Sequence, residues 1–170
     1  MATFSEDLRG RSDDELVALL LRRPDLASPS PSTLSSLAAR ATSRASLERA
    51  LGSVDAVVLQ VVEAVVALHD DAAPVTADRV AQAVAVRSDA DRELVDAALD
   101  RAVGLLLVRL DDQPATGSTA GRGLLAAPGL AELLGPYPAG LPPAGTVSGG
   151  PASTGRTAGG TPTPTGPLVL

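Results

Sequence analysis

Apolar residues in the middle of the chain recur every three or four positions, which is the period of an α-helix. The intervals alternate between four and three from Leu47 to Leu68, so this stretch is predicted to be helical with one continuous buried face. Gly52 and Ser53 interrupt the pattern, which predicts a short helix followed by a longer one that Ser53 caps. The apolar seam comprises Leu47, Leu51, Val54, Val58, Val61, Val65 and Leu68.

Two further helices are predicted before this seam. Ser12 and Glu15 have the spacing of a capping box, and Pro24 is expected to end the helix that they begin. A second helix is predicted over residues 32–45. Residues 1–11 are polar and are expected to be flexible.

The residues after the seam predict a helix–turn–helix and a hairpin. Thr76 is suited to cap a helix over residues 77–86, and Ser88 or Asp89 is suited to cap another that ends near Val103, with Gly104 at its C-terminal cap. Residues 105–110 and 123–126 are rich in apolar residues and are predicted to be strands, followed by a short helix over 128–134. The predicted fold is therefore mainly α, an N-terminal helical pair packed on a winged helix.

The end of the chain has a different composition. Of the last 29 residues, 24 are Gly, Pro, Thr, Ser or Ala. Such a segment cannot bury enough apolar surface to offset the entropy of ordering. The predicted organisation is a flexible N-terminus at 1–11, one domain at 12–141 and a disordered tail at 142–170.

Few side chains of the chain are suited to catalysis. The sequence has no Cys, one His and one Tyr, which excludes disulfides and thiolate metal sites. His69 precedes Asp70 and Asp71, but adjacent residues point in different directions, so a helix-end loop is favoured over a metal or base site. We predict no enzyme activity, no metal, no cofactor and no small-molecule substrate. Without a signal peptide or a membrane span, a cytoplasmic location is expected, with association with the nucleoid left open.

The charge distribution favours a protein partner over DNA. Residues 51–100 contain ten acidic residues and three arginines, and the predicted second helix of the helix–turn–helix is itself acidic. That helix would enter the major groove of DNA, where negative charge is repelled. Arg40, Arg44 and Arg49 are interpreted as solubilising. Dimerisation through the seam is a third possibility. The alternative, direct DNA binding, would use Arg79, Arg92, Arg101, Arg109 and Arg122.

Several short segments, which follow one another in the same order, resemble one protein family. The segments Asp13–Leu20, Arg23–Leu26, Leu37–Ala41, Asp55–Ala64 and Leu134–Leu141 are similar to the start of actinobacterial helicase-associated proteins, which resemble the N-terminal domain of XPB-type repair helicases. The resemblance covers roughly residues 6–141. It implies a non-enzymatic accessory to an XPB-type helicase in DNA repair or transcription, without ATPase motifs. Family members continue into a further helicase-associated domain, so the resemblance also implies a truncated chain.

Overall fold

The computed structural model describes residues 4–69, 73–114 and 122–135, with the backbone alone for 112–114. Within these ranges the chain forms nine α-helices and one two-stranded antiparallel sheet, which confirms the mainly α prediction. The predicted tail, 142–170, lies outside the described residues. The elements are α1 (Phe4–Gly10), α2 (Asp13–Arg22), α3 (Pro24–Ala27), α4 (Leu34–Ala41), α5 (Arg44–Leu51), α6 (Ala56–Leu68), α7 (Ala77–Ala83), α8 (Asp89–Gly104), β1 (Val108–Pro114), β2 (Arg122–Ala126) and α9 (Leu130–Leu134).

The start of the described chain is helical. The predicted flexible N-terminus is wrong for residues 4–10, because they form α1 and bury the side chain of Leu8 completely. The predicted capping box is confirmed: the Glu15 amide donates to Ser12 Oγ, and the Ser12 amide donates to Glu15 Oε2 at 2.8 Å. Pro24 ends α2 as predicted and then begins α3, where a missing amide hydrogen costs nothing.

The predicted helix over 32–45 corresponds to α4 and is shorter than predicted, because residues 44 and 45 already belong to α5, the short helix predicted before Gly52. Thr33 caps α4 in a capping box with Ser36, α4 ends at Ala41, and α5 begins at Arg44. The predicted cap for the next helix, Ser53, is also wrong. Asp55 Oδ1 accepts a 3.0 Å hydrogen bond from the Val58 amide and so begins α6. A carboxylate at this position also interacts favourably with the helix dipole.

The apolar seam forms the centre of the larger core. Val58, Val61 and Val65 are almost completely buried, and α6 packs mainly against α8. Burial of this face stabilises a helix whose β-branched residues have only moderate helix propensity. A smaller second core joins α1, α2, α3 and α4 to a single residue from beyond α8, Leu106.

Helices α7 and α8 both end in Schellman motifs whose left-handed residue is not glycine. Ala85 follows α7 with φ 57°, and Leu106 follows α8 with φ 58°. In each case the next amide bonds to a carbonyl five residues earlier, as Leu107 does to Ala102 at 3.0 Å. Gly104 was predicted at this cap, but it lies in the last turn of α8. The left-handed turn sends Leu106 into the small core while Leu105 and Leu107 enter the large one.

The hairpin closes the larger core. Leu110 pairs with Leu124 and Val108 with Ala126 in the antiparallel register, which is irregular between Asp111 and Pro114. The first strand begins three residues later than the predicted 105–110, because residues 105–107 complete the end of α8. The Leu124 amide also donates a 2.8 Å bond to the Val75 carbonyl. In the described part of the chain, no helix is both long enough and apolar enough to cross a membrane.

Candidate functional site

Two of the five arginines predicted to contact DNA, Arg92 and Arg79, already form hydrogen bonds within the protein. Arg92 Nη2 lies 2.7 Å from Asp78 Oδ1 on α7, and Arg92 Nε lies 3.1 Å from Asp96 Oδ1 on α8. The hydrogen bond to Asp78 contributes most to raising the pKa of Arg92, and the hydrogen bond to Asp96 adds to it. Arg79 Nη1 donates to the Ala73 carbonyl at 2.8 Å and to the Pro74 carbonyl at 3.1 Å, and so fixes the approach to α7.

The other three predicted arginines make no hydrogen bond or ion pair with described residues. Arg101 is exposed in the last turn of α8, Arg122 is exposed at the start of β2, and Arg109 is half-buried on β1. Arg101 and Arg122 line two neighbouring clefts, of about 630 and 560 Å³, which have Arg22 and Asp100 in common. The sequence did not indicate Arg22 as part of such a group.

The solvent face of α8 carries two adjacent stripes. Acidic residues at 89, 93, 96 and 100 follow the helical spacing of four, three and four, and they are all exposed. Ala90, Leu94 and Ala97 follow the same spacing one position later, and the side chain of Leu94 is 58% exposed. The buried face of α8 lies opposite and consists of Val95, Ala98, Leu99 and Ala102. We call the two stripes together the α8 outer face.

Most carboxylates of the α8 outer face have no partner within the described residues. Asp96 bonds to Arg92, whereas Asp89, Glu93 and Asp100 make no hydrogen bond or ion pair there. Asp91 lies off the stripe and belongs to the capping box with Ser88. Hydrogen bonds from the Ser88 side chain and the Arg87 amide lower the pKa of Asp91, so it keeps its charge at the helix N-terminus.

A buried polar network holds the C-terminal end of α8 against the N-terminal helices. Arg23 is 1% exposed and donates to the Leu105 carbonyl at 3.0 Å, to the Ser46 carbonyl at 2.9 Å and to Asp25 Oδ2 at 3.1 Å. Ser46 Oγ also bonds to Asp25. Burial alone would raise the pKa of Asp25, but the hydrogen bonds from Ser46 and Arg23 outweigh it and lower that pKa. We interpret this network as structural, because Arg23 is buried and its hydrogen bonds join separate segments of the chain, although the Asp25 side chain is 13% exposed.

The remaining candidates have local partners or none. Arg40 donates to the carbonyls of Leu26 and Pro29, and Arg44 forms an exposed ion pair with Glu48 at 2.9 Å. His69 is exposed at the end of α6, and its predicted neighbours Asp70 and Asp71 lie outside the described residues. Among the residues that the structure describes, no three His, Asp or Glu side chains come together as a metal site would require.

No family model, curated protein or solved structure matches this chain.

Proposed function

We propose that α6, α7, α8 and the hairpin form a winged helix that acts as a non-enzymatic protein-interaction module. The order of elements supports the winged helix: α6 is followed by a connecting segment, then by α7 and α8, and then by the hairpin of β1 and β2. A single hydrogen bond, from the Leu124 amide to the Val75 carbonyl, joins the segment before α7 to the hairpin, although Val75 is not part of a strand.

The charge of the α8 outer face is the observation that supports a protein partner. In a helix–turn–helix that reads DNA, this helix faces the phosphates and needs cations there. Here its exposed acids outnumber its arginines, and Arg92 is already bonded to two carboxylates. An acidic helix lowers the affinity for DNA and raises the affinity for a basic protein surface.

The resemblance to helicase-associated proteins supports a helicase as that partner. On this proposal the module contributes no catalytic group, and it acts by holding an XPB-type helicase during DNA repair or transcription. The hydrogen bond from Arg23 to the Leu105 carbonyl joins the N-terminal helices to the end of α8. Such support suits a docking module, because a pre-organised surface loses less entropy on binding.

Direct DNA binding is the second candidate, and it is supported by the arginines that have no partner among the described residues. Arg101, Arg109 and Arg122 remain available for phosphate contacts, whereas Arg79 and Arg92 are already bonded within the protein. The candidate DNA surface therefore shifts from the middle of α8 to its C-terminal end and the hairpin.

Parallel titrations distinguish these two functions. The full chain, labelled with a fluorophore, would be titrated with an actinobacterial XPB-type helicase and separately with single-stranded, duplex and forked DNA at low and physiological salt. We expect binding to the helicase and none to DNA. Binding to DNA that falls steeply with salt, and is lost in the double variant Arg101→Glu with Arg122→Glu, would establish the second function instead. Absence of a helicase complex at micromolar concentration would contradict the helicase proposal.

A further inference from the structure

The α8 outer face combines two features side by side. One is an apolar stripe with a leucine that is 58% exposed, and the other is a row of carboxylates. Both rows keep the same helical spacing, so they run together along the helix. From position 89 to position 100 the acidic row extends about 16 Å, at roughly 1.5 Å per residue.

We propose that this face binds an amphipathic, basic helix of a partner protein, with the apolar residues of that helix against Leu94 and its Lys or Arg residues against Glu93 and Asp100. This inference rests on the proposed function and specifies its partner. Anchors at intervals of three and four residues are those that one helix presents to another. An extended strand has a two-residue period and would match only part of either stripe.

Charge complementarity selects the occupant. Asp89, Glu93 and Asp100 have no cationic partner within the described residues, so a basic helix would supply the missing charges. A second copy of this chain would bring the same carboxylates into opposition, which is repulsive, and DNA would be repelled for the same reason.

The C-terminal end of the apolar stripe meets a cleft that is lined mainly by polar residues. This cleft of about 630 Å³ is lined by Ser53, Ala97 and Leu105 and by the charged residues Arg22, Asp100 and Arg101. Leu105 belongs to the larger core and is only 3% exposed, so it offers little apolar surface there. The apolar part of the proposed contact is therefore centred on Leu94.

Two model peptides test the proposal. Both are fluorescein-labelled 16-residue peptides of Leu, Ala and Lys with identical composition. The first arranges Leu and Ala in one helical stripe beside a Lys stripe, and the second has the same residues in scrambled order. We expect the patterned peptide to bind the full chain at least tenfold more tightly than the scrambled one, measured by fluorescence anisotropy.

Matched variants locate the binding on α8. Leu94→Ser should weaken binding of the patterned peptide at least fivefold, whereas Leu21→Ser on α2, at a leucine that is 78% exposed, should change it less than twofold. Glu93→Gln with Asp100→Asn should weaken binding more than Asp13→Asn with Glu132→Gln, which changes the net charge by the same amount at exposed sites elsewhere. All of these substitutions are at exposed positions, and thermal melts would verify that each variant is folded.

Three results would overturn the proposal: equal affinity for the two peptides, no effect of Leu94→Ser, or equal effects of the two charge-neutralising pairs. Failure of the proposed function gives a different result, because it appears as DNA binding or as absence of a helicase complex. If the helicase binds and Leu94→Ser leaves that complex unchanged, the docking face is wrong while the helicase-associated function stands.

Discussion

Arg23, between α2 and α3, donates a 3.0 Å hydrogen bond to the backbone carbonyl of Leu105, which directly follows α8. The contact spans 82 residues of sequence. Arg11 makes a similar contact, donating to the Val103 carbonyl at 3.1 Å. The carbonyls at the end of a helix carry partial negative charge, so these two arginines satisfy them and favour the helix dipole. The N-terminal helices thereby hold the end of the helix that we propose as the docking element.

Removal of the buried arginine should strongly destabilise the fold. Arg23→Ala removes the donor that the Leu105 carbonyl, the Ser46 carbonyl and the Asp25 carboxylate share, so that Asp25 keeps only its bond from Ser46 Oγ. Loss of one member of a buried pair costs about 3–5 kcal/mol. Urea denaturation of the full chain would measure the change in the free energy of unfolding. Arg22→Ala is the control, because Arg22 is exposed and makes no such bonds within the described part of the chain; its effect should stay within about 0.5 kcal/mol. Equal effects of the two substitutions would contradict a structural role for the network.

Stability should fall in acid partly through Asp25. Its pKa in the folded protein lies below the ordinary value of 3.8, so the unfolded chain binds the proton more readily than the folded one. The stabilisation from this carboxylate is therefore complete well above pH 3.8 and is lost as pH falls through the folded pKa. Unfolding free energies of wild type and Asp25→Asn, measured from pH 7 downward, should converge below pH 3.8. A constant difference between the two proteins across that range would contradict the lowered pKa.

Two glycine substitutions with the same backbone geometry should have opposite effects. Ala85 and Leu106 both have positive φ, which costs roughly 1–2 kcal/mol for a residue other than glycine. Ala85 is exposed, so Ala85→Gly should relieve this strain and stabilise the protein by about 0.5–1 kcal/mol after the entropic cost of glycine. Leu106 is fully buried, and the loss of its side chain should outweigh the relief, so Leu106→Gly should destabilise by about 2 kcal/mol or more. Thermal unfolding of both variants would show shifts of opposite sign. Stabilisation by Leu106→Gly would contradict the bridging role of Leu106, and destabilisation by Ala85→Gly would contradict the strain at Ala85.

The central helix can be tested by the same change at two valines. Val61 is 1% exposed, so Val61→Asp buries an unpaired charge and should abolish the cooperative melt, at a cost on the order of 3 kcal/mol or more. Val57 lies in the first turn of the same helix and is 41% exposed. There an aspartate stays hydrated and lies near the positive end of the helix dipole, so Val57→Asp should leave the melting temperature nearly unchanged. Circular dichroism melts of both variants would test which face of α6 is buried. Similar melts would mean that α6 is buried on a different face.

The proposed binding of DNA, of a protein partner or of a helicase was inferred from the sequence, and the structure bears on the arginines that DNA binding would use. The sequence could indicate five arginines near a predicted helix–turn–helix. It could not show which of them are already bonded within the protein and which can contact DNA. Arg92 and Asp78 are fourteen residues apart, and their 2.7 Å contact depends on how α7 packs against α8. Sequence spacing reveals partners within one helix, such as Arg92 and Asp96, because the period of a helix is fixed.

The sequence by itself determined the features that arise from local physics. The seam from Leu47 to Leu68, the capping box of Ser12 and Glu15 and the Thr76 cap depend on residues within one or two helical turns, so they could be predicted. The structure alone decided that residues 4–10 are helical, since Leu8 is stabilised by contacts with distant helices. It also placed Arg23 in the core and Leu106 between two cores. Both placements come from contacts between segments far apart in the chain, whose energies a local pattern does not contain.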